Sequence, residues 1–244
     1  LEVSWEVANK VGGIYTVIKE KARYVREKFG DDYFVVGPYL KGRGFQDFYQ
    51  FVPSENIQKI ISETEKYGIK VYYGEWLIEG RPKGFLVDFE NLKPNINAFK
   101  YELWEKYKID STSTGDDYNE PILWCKAVSV FLKNFCNNFQ NNKIVVHLHE
   151  WLSGGVILFG ELNAKTIFTI HATVLGRSLA GSGINFWKNL DSINPDEEAV
   201  KLGIAAKHSI EKCASQKSVF FTAVSNILAA EAEKFLGRKP DFIL

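Results

Sequence analysis

The 244-residue sequence contains no methionine and only three cysteines. A chain of this length ordinarily carries several methionines. Cys125, Cys136 and Cys213 are odd in number and show no CxxC pattern. Cys125 and Cys136 fall on one expected helix, roughly 16 Å apart at 1.5 Å per residue, too far to bond. Reduced thiols in a cytoplasmic protein are the simplest reading. No run of 18 apolar residues occurs, and no charged-then-apolar leader is present, so neither a membrane span nor a signal peptide is expected. Charge of one sign is also lacking: 30 basic residues balance 30 acidic ones. There is no basic stripe for nucleic acid and no acidic tail for a cationic partner. What is there is 45% apolar content, enough for a real core in one large α/β domain or two small ones.

Strand-like runs cover Glu2–Val7, Tyr33–Gly37, Lys70–Tyr73, Gly84–Asp88, Ile144–His149, Lys165–His171 and Ser218–Val224. Some, such as Ile144-Val145-Val146 and Val219-Phe220-Phe221, are continuously apolar, the pattern of parallel strands covered on both faces. Helical periodicity lies between them. Ile14–Phe29 sets Val17, Ile18, Ala22, Val25 and Phe29 on one stripe and stops at Gly30. Glu120–Phe139 does the same with Leu123, Ala127, Val130, Leu132 and Phe135. Glu197–Gln216 and Ile227–Leu236 are two more helices, with Ser225 as an N-cap. The alternation predicts an α/β, Rossmann-like doubly wound and mostly parallel sheet. Val71–Phe89 departs from it, because two strands flank Gly80-Arg81-Pro82-Lys83-Gly84, which reads as an added antiparallel hairpin. Asp110–Asn119 and Gly181–Asn194 read as loops. With no repeat and no linker, the chain reads as one domain.

In such sheets ligands gather beyond the carboxyl ends of the strands. The first strand delivers Asn9-Lys10-Val11-Gly12-Gly13-Ile14. Gly12 and Gly13 allow a tight turn and open the first N–H groups of the helix to an anion, and Lys10 adds a mobile charge. The strand at Ile144 delivers His147-Leu148-His149-Glu150-Trp151. The strand at Ile167 delivers Thr169-Ile170-His171-Ala172-Thr173 and then Gly176-Arg177-Ser178.

Each item alone has an ordinary reading. A glycine pair is often only a turn, Lys10 a surface lysine, His171 a hydrogen-bonded strand-end histidine, and Glu150 an orienter of a neighbouring imidazole. Trp76, Trp104, Trp124 and Trp187 read as packing residues. Zinc on His149, Glu150 and His171 lacks HExxH spacing, so no metal is expected. An NAD-binding domain needs G-x-G-x-x-G and an acidic residue about 20 positions on; Gly12-Gly13-Ile14 and Gly37-Pro38-Tyr39 break that pattern.

Together these segments resemble the eukaryotic-type glycogen synthases, glycosyltransferase family 3. Asn9–Val17, Tyr33–Pro38, Gly74-Glu75-Trp76-Leu77-Ile78-Glu79-Gly80 with Pro82-Lys83, His149–Leu152, Thr169–Arg177 and Arg238-Lys239-Pro240-Asp241 match in order, across essentially the whole chain. The resemblance implies a retaining, metal-independent glucosyltransferase of the two-domain GT-B type, with no cofactor. Glucose would pass from UDP-glucose, or ADP-glucose, to the 4-hydroxyl end of an α-1,4-glucan. Lys10, Gly12 and Gly13 would hold the donor diphosphate. His171 would line the glucosyl pocket, Arg177 would face the diphosphate, and Glu150 and Trp151 would sit near the sugar.

The resemblance further implies that residues 1–244 are the amino-terminal, acceptor-side Rossmann domain. The sequence stops at Leu244, where the family continues into a second, nucleotide-binding domain, so the chain alone is expected to bind donor weakly and turn over little. A further copy of the chain is the other partner the resemblance suggests. The stretch from Trp151 to Lys165 is shorter than the family leads one to expect. Two other readings stand beside this one: a sucrose- or trehalose-phosphate-type synthase, and a non-catalytic glucan-binding module, which an exposed aromatic platform would favour.

Overall fold

The computed structural model describes residues 1–42 and 47–244. Its strands are β1 (Glu2–Val3), β2 (Phe34–Pro38), β3 (Phe48–Gln50), β4 (Lys70–Trp76), β5 (Lys83–Asp88), β6 (Val145–His149), β7 (Lys165–Ile170), β8 (Phe220–Ala223) and β9 (Phe242–Ile243). They form one sheet in the order β3-β4-β5-β2-β1-β6-β7-β8-β9. Every pairing is parallel except β3 with β4 and β4 with β5. The expected hairpin is therefore present, with Gly80 at a positive φ of 86° in its turn.

The helices are α1 (Gly13–Phe29), α2 (Glu55–Glu65), α3 (Ile96–Tyr107), α4 (Asp116–Asn138), α5 (Trp151–Gly154), α6 (Val174–Gly181), α7 (Pro195–Lys201), α8 (Ala205–Lys217) and α9 (Asn226–Leu236). Helix α1 covers one face of the β2–β5 half, packing Ile14, Ile18 and Ala22 onto Val35, Trp76 and Leu86. Across the sheet, α2 and α4 bury Ile60, Phe131 and Phe135 against Val36, Phe85 and Val87. Such buried aliphatic and aromatic side chains each contribute about 1.5–3 kcal/mol relative to exposure.

Several expectations are corrected. The first strand covers only Glu2–Val3; Trp5–Ala8 turns instead, closed by the Val7 N–H to Ser4 O bond at 3.2 Å. The helix after it buries a stripe shifted from the expected one, leaving Val17 and Phe29 exposed. The expected helix over Glu197–Gln216 breaks into α7 and α8 at Leu202-Gly203, where Gly203 takes a positive φ of 69°. In the β6–β8 half the second face is buried at His149, Thr169 and Thr222 but open at the strand starts. Val146, Leu148, Phe168, Ile170, Phe221 and Ala223 are buried, while Val145, Val219 and Phe220 are exposed. Trp76 and Trp124 are core residues as expected, but Trp104 and Trp187 are exposed. Among the described residues, no helix is long and apolar enough to cross a membrane.

Strand β1 lies at the centre of the parallel part. The chain leaves it through α1 to β2 on one side, and β6 pairs with it on the other. That reversal opens a crevice at the carboxyl ends of β1 and β6, where α/β sheets place ligands.

Candidate active site

Three strand ends meet at this crevice: β1 pairs with β6, and β6 with β7. At the end of β6 the chain turns sharply into α5 at Glu150, whose φ is 57° and ψ 176°. That conformation is close to one that glycine alone adopts freely, and it costs a larger residue about 1–3 kcal/mol. Neighbouring backbone holds it there. Glu150 N–H donates to Thr169 O at 2.8 Å, and Glu150 O accepts from Gly154 N–H at 2.8 Å. The turn places a buried carboxylate at the sheet edge.

Arg177, on the first turns of α6, reaches back to that carboxylate, its Nη2 donating to Glu150 Oε1 at 2.9 Å. The guanidinium side chain remains 64% exposed, while that of Glu150 is 5% exposed. Burial raises the Glu150 pKa, and the Arg177 charge works against that rise. Glu150, Trp151, Arg177 and Lys207 line a cavity of about 170 Å³. Trp151 is nearly buried in its wall, stacked on Tyr118 with ring centroids 6.2 Å apart, and Lys207 Nζ lies 5.4 Å from its ring centre.

His171 ends β7 beside this pair. Its Nε2 is 3.0 Å from His149 Nδ1, and His149 Nε2 is 2.7 Å from Glu2 Oε1. Glu2 is buried, but hydrogen bonding and charge from His149, with the Lys21 ammonium at 2.5 Å, hold its carboxyl well below the usual range. An ionised carboxylate only accepts, so His149 Nε2 donates to it. Burial keeps His149 neutral, which leaves its Nδ1 as a lone pair. His171 Nε2 must therefore donate to His149, and its own pKa is pushed down to about 4 by burial and by the charges around it. The His171 imidazole is thus neutral, with its Nδ1 left as an acceptor.

Glu2, His147 and His149 form one cluster with metal-ligand spacing. It is not the His149, Glu150 and His171 set considered from sequence. Its carboxylate is already occupied: Lys21 lies on Oε1 and the Tyr33 hydroxyl donates to Oε2. His147 continues the network outward through Thr169 Oγ1 at 2.6 Å, and Thr169 Oγ1 lies 2.6 Å from Thr222 Oγ1.

Gly12 and Gly13 open α1 at the end of the β1 segment, as expected. The two glycines have different reasons to be there. A Cβ on Gly12 would lie 2.6 Å from Glu6 Oε1, whereas one on Gly13 would meet nothing within 4 Å. Glu6 was not anticipated. Its buried carboxylate sits over the start of α1 and accepts the Tyr15 N–H through Oε2 at 2.8 Å. Its charge adds to the burial that raises the Glu150 pKa, which ties the α1 start to the β6 rim. Lys10 is exposed on this side, its Nζ 6.0 Å from the Tyr15 ring centre.

The structure thus brings Glu150, Trp151 and Arg177 into one cavity wall and sets His171 within electrostatic reach of Arg177. Gly12 lies beside Glu6, whose charge acts on Glu150, while Lys10 stays exposed beside Tyr15. Arrangements of this kind can stabilise developing negative charge with a guanidinium and helix N–H groups, and accept a hydroxyl hydrogen at a neutral imidazole.

The sequence profile of the family described as Glycogen synthase matches residues 2–244. A glycogen [starch] synthase of Dictyostelium discoideum is 40% identical over 248 residues, covering 100% of this chain and 28% of that protein. The liver glycogen [starch] synthase of Homo sapiens is 37% identical, with 99% of this chain and 35% of the relative covered. That of Caenorhabditis elegans is 38% identical, with 99% and 37% covered. A solved catalytic domain of Starch Synthase IV from Arabidopsis thaliana, bound to ADP and acarbose, is similar with a TM-score of 0.49 and 14% identity, covering 98% of this chain and 49% of that one. The chain spans about a third of the length of these curated relatives. It belongs to the glycogen synthase family.

Proposed function

We propose that residues 1–244 form the amino-terminal, acceptor-side domain of a glycogen (starch) synthase of GT-B type. In this reading the whole protein moves glucose from UDP-glucose to the 4-hydroxyl end of an α-1,4-glucan with retention of configuration, in the cytoplasm. The observation that carries it is one rim that holds an exposed guanidinium, Arg177, ion-paired to the buried Glu150, within electrostatic reach of the strand-end imidazole of His171.

Breaking a glycosyl–phosphate bond builds negative charge on the leaving phosphate and positive charge on the sugar ring. Arg177, Lys10 and the first N–H groups of α1 would meet the diphosphate; removing one such donor typically costs about 100- to 1,000-fold in rate. A donor diphosphate would compete with Glu150 for Arg177, and its negative charge would sit against Glu6 at the start of α1. His171 Nδ1, an acceptor, would hold a sugar hydroxyl rather than protonate anything. Trp151 would close the side of the pocket. In this reading Arg177, Lys10 and the helix N–H groups supply the charge that neutralises the leaving phosphate.

The test is incorporation of labelled glucose from UDP-glucose or ADP-glucose into glycogen by the whole protein, with product linkage and anomeric configuration read by NMR. Glucan-dependent transfer with an α-1,4 product supports the reading, and the ratio of the two donors sets the base preference. Absence of transfer from both donors would overturn it in favour of a glucan-binding module.

A further inference from the structure

Helix α6, which carries Arg177, begins deep in the protein, and its start is held by two acids from other helices. Thr173 caps the helix, its Oγ1 accepting the Gly176 N–H at 2.9 Å. The Thr173 hydroxyl in turn donates to Glu231 Oε1, from α9. The Val174 N–H donates to Glu211 Oε2, from α8, at 2.9 Å. A Cβ on Gly176 would lie 2.0 Å from Glu231 Oε1, so this carboxyl packs directly on the first turn. Glu211 is fully buried, and its second oxygen, Oε1, has no hydrogen-bond partner among the described residues.

A buried acid with a bare oxygen is an expensive core residue unless it does something that an apolar side chain cannot. Here its other oxygen takes up an N–H that the helix cannot satisfy internally. Both acids also have pKa values raised by burial, Glu211 well above the ordinary carboxylate value. The titratable and charged groups that act on Glu211 are Glu150, Glu231 and Arg177, which places it within electrostatic reach of the Arg177–Glu150 pair.

We propose that Glu211 and Glu231 are positioning residues for Arg177, fixing the start of α6 so that its guanidinium is aimed at the crevice. The catalytic consequence rests on the glycosyltransferase reading above, whereas the positioning itself does not.

The experiment separates the two. In the purified chain, Arg177 modification by phenylglyoxal is followed by peptide mass spectrometry, alongside thermal unfolding. Glu211→Met fills the space but removes the acceptor, and Thr173→Val removes the hydroxyl that links the cap to Glu231. Each should speed modification of Arg177 at least fivefold while the protein still unfolds cooperatively. Glu211→Gln keeps an acceptor oxygen and should stay within about twofold of the unsubstituted rate. In the whole protein, Glu211→Met should lower kcat at least tenfold with KM changed less than threefold, and Glu211→Gln should restore most of it. Unchanged Arg177 reactivity in folded Glu211→Met, or equal effects of Met and Gln, would overturn the proposal. An unsubstituted protein that transfers no glucose would overturn the functional reading while leaving the reactivity result to decide the positioning.

Discussion

Arg177 Nη2 donates to Glu150 Oε1 at 2.9 Å, joining an exposed cation on α6 to a buried carboxylate in a strained turn after β6. The pair is asymmetric: one partner is free to meet a ligand, and the other is fixed by backbone. Arg177→Ala should therefore cost little stability, about 1 kcal/mol, because the lost ion pair is largely solvent-screened on the arginine side. Its effect on turnover of the whole protein should be about 100- to 1,000-fold. Arg177→Lys should recover only part of the rate, because an ammonium lacks the planar fork that grips a phosphate. Calorimetry on the chain and steady-state kinetics on the whole protein check both halves. A near-normal rate in Arg177→Ala would remove that residue from the site.

The two glycines at the start of α1 should separate stability from binding. Gly12→Ala forces a methyl group to within 2.6 Å of Glu6 Oε1 and so dislodges the carboxylate that accepts the Tyr15 N–H. A loss of about 1–3 kcal/mol is expected. Gly13→Ala meets no atom within 4 Å and replaces a flexible residue in a helix. It should be neutral or stabilising by about 0.4–1 kcal/mol. If the open space above Gly13 is where the diphosphate rests, the same substitution should weaken UDP binding by tenfold or more. Urea unfolding and a UDP titration on the two variants read the contrast. Equal UDP affinity in Gly13→Ala and the unsubstituted chain would place the diphosphate elsewhere.

Much of this site could be read from the sequence because strand ends announce themselves. The runs ending at His149, His171 and Ser225 are apolar, and the polar residues that follow them have to lie at the sheet edge. Ser225 does cap α9, accepting the Leu228 N–H at 3.1 Å. The acids that shape the site could not be read that way. Glu2 and Glu6 lie in a strand and a turn where acids ordinarily face water. Their burial depends on His149, Lys21, Tyr33 and Tyr15, which only tertiary structure brings to them. Strands β3 and β9 went unseen because two- and three-residue edge strands are too short to show alternation. Helix α2 carries Ile57, Ile60, Ile61 and Thr64 at helical spacing, a signal that a reading led by strands passes over. The break between α7 and α8 was marked in advance by Gly203, whose positive φ no longer helix tolerates well.

Chelation tests whether the histidine–glutamate cluster is a relay or a metal centre. Glu2 already has the Lys21 ammonium on one oxygen and the Tyr33 hydroxyl on the other. A divalent ion would have to displace Lys21, so neither affinity for zinc nor dependence on it is expected. EDTA should leave both the melting temperature of the chain and the activity of the whole protein unchanged. Lys21→Ala should behave differently: it removes the resident cation and leaves three ligand atoms around an uncompensated carboxylate. That variant should lose stability and gain measurable zinc affinity. Inhibition of the unsubstituted protein by EDTA would revive the metal reading.

The neutral state of His171 sets a pH dependence of known sign. Its pKa is about 4 when folded and about 6.5 when unfolded. As pH falls from 6.5 towards 4, the unfolded chain takes up a proton that the folded one refuses. Stability therefore falls by up to about 1.4 kcal/mol for each pH unit from this residue. Glu150, Glu211 and Glu231 act in the opposite sense, because their raised pKa values let the folded state bind protons first. The net slope mixes these contributions, so the informative quantity is a difference. His171→Gln retains a side-chain donor for His149 Nδ1 but no longer titrates. Urea unfolding at pH 6.5, 5.5 and 4.5 should show the unsubstituted chain losing stability more steeply than His171→Gln, by close to one proton per molecule. Parallel slopes would mean that His171 is protonated in the folded protein across this range, and its role as a neutral acceptor at the sugar would fall.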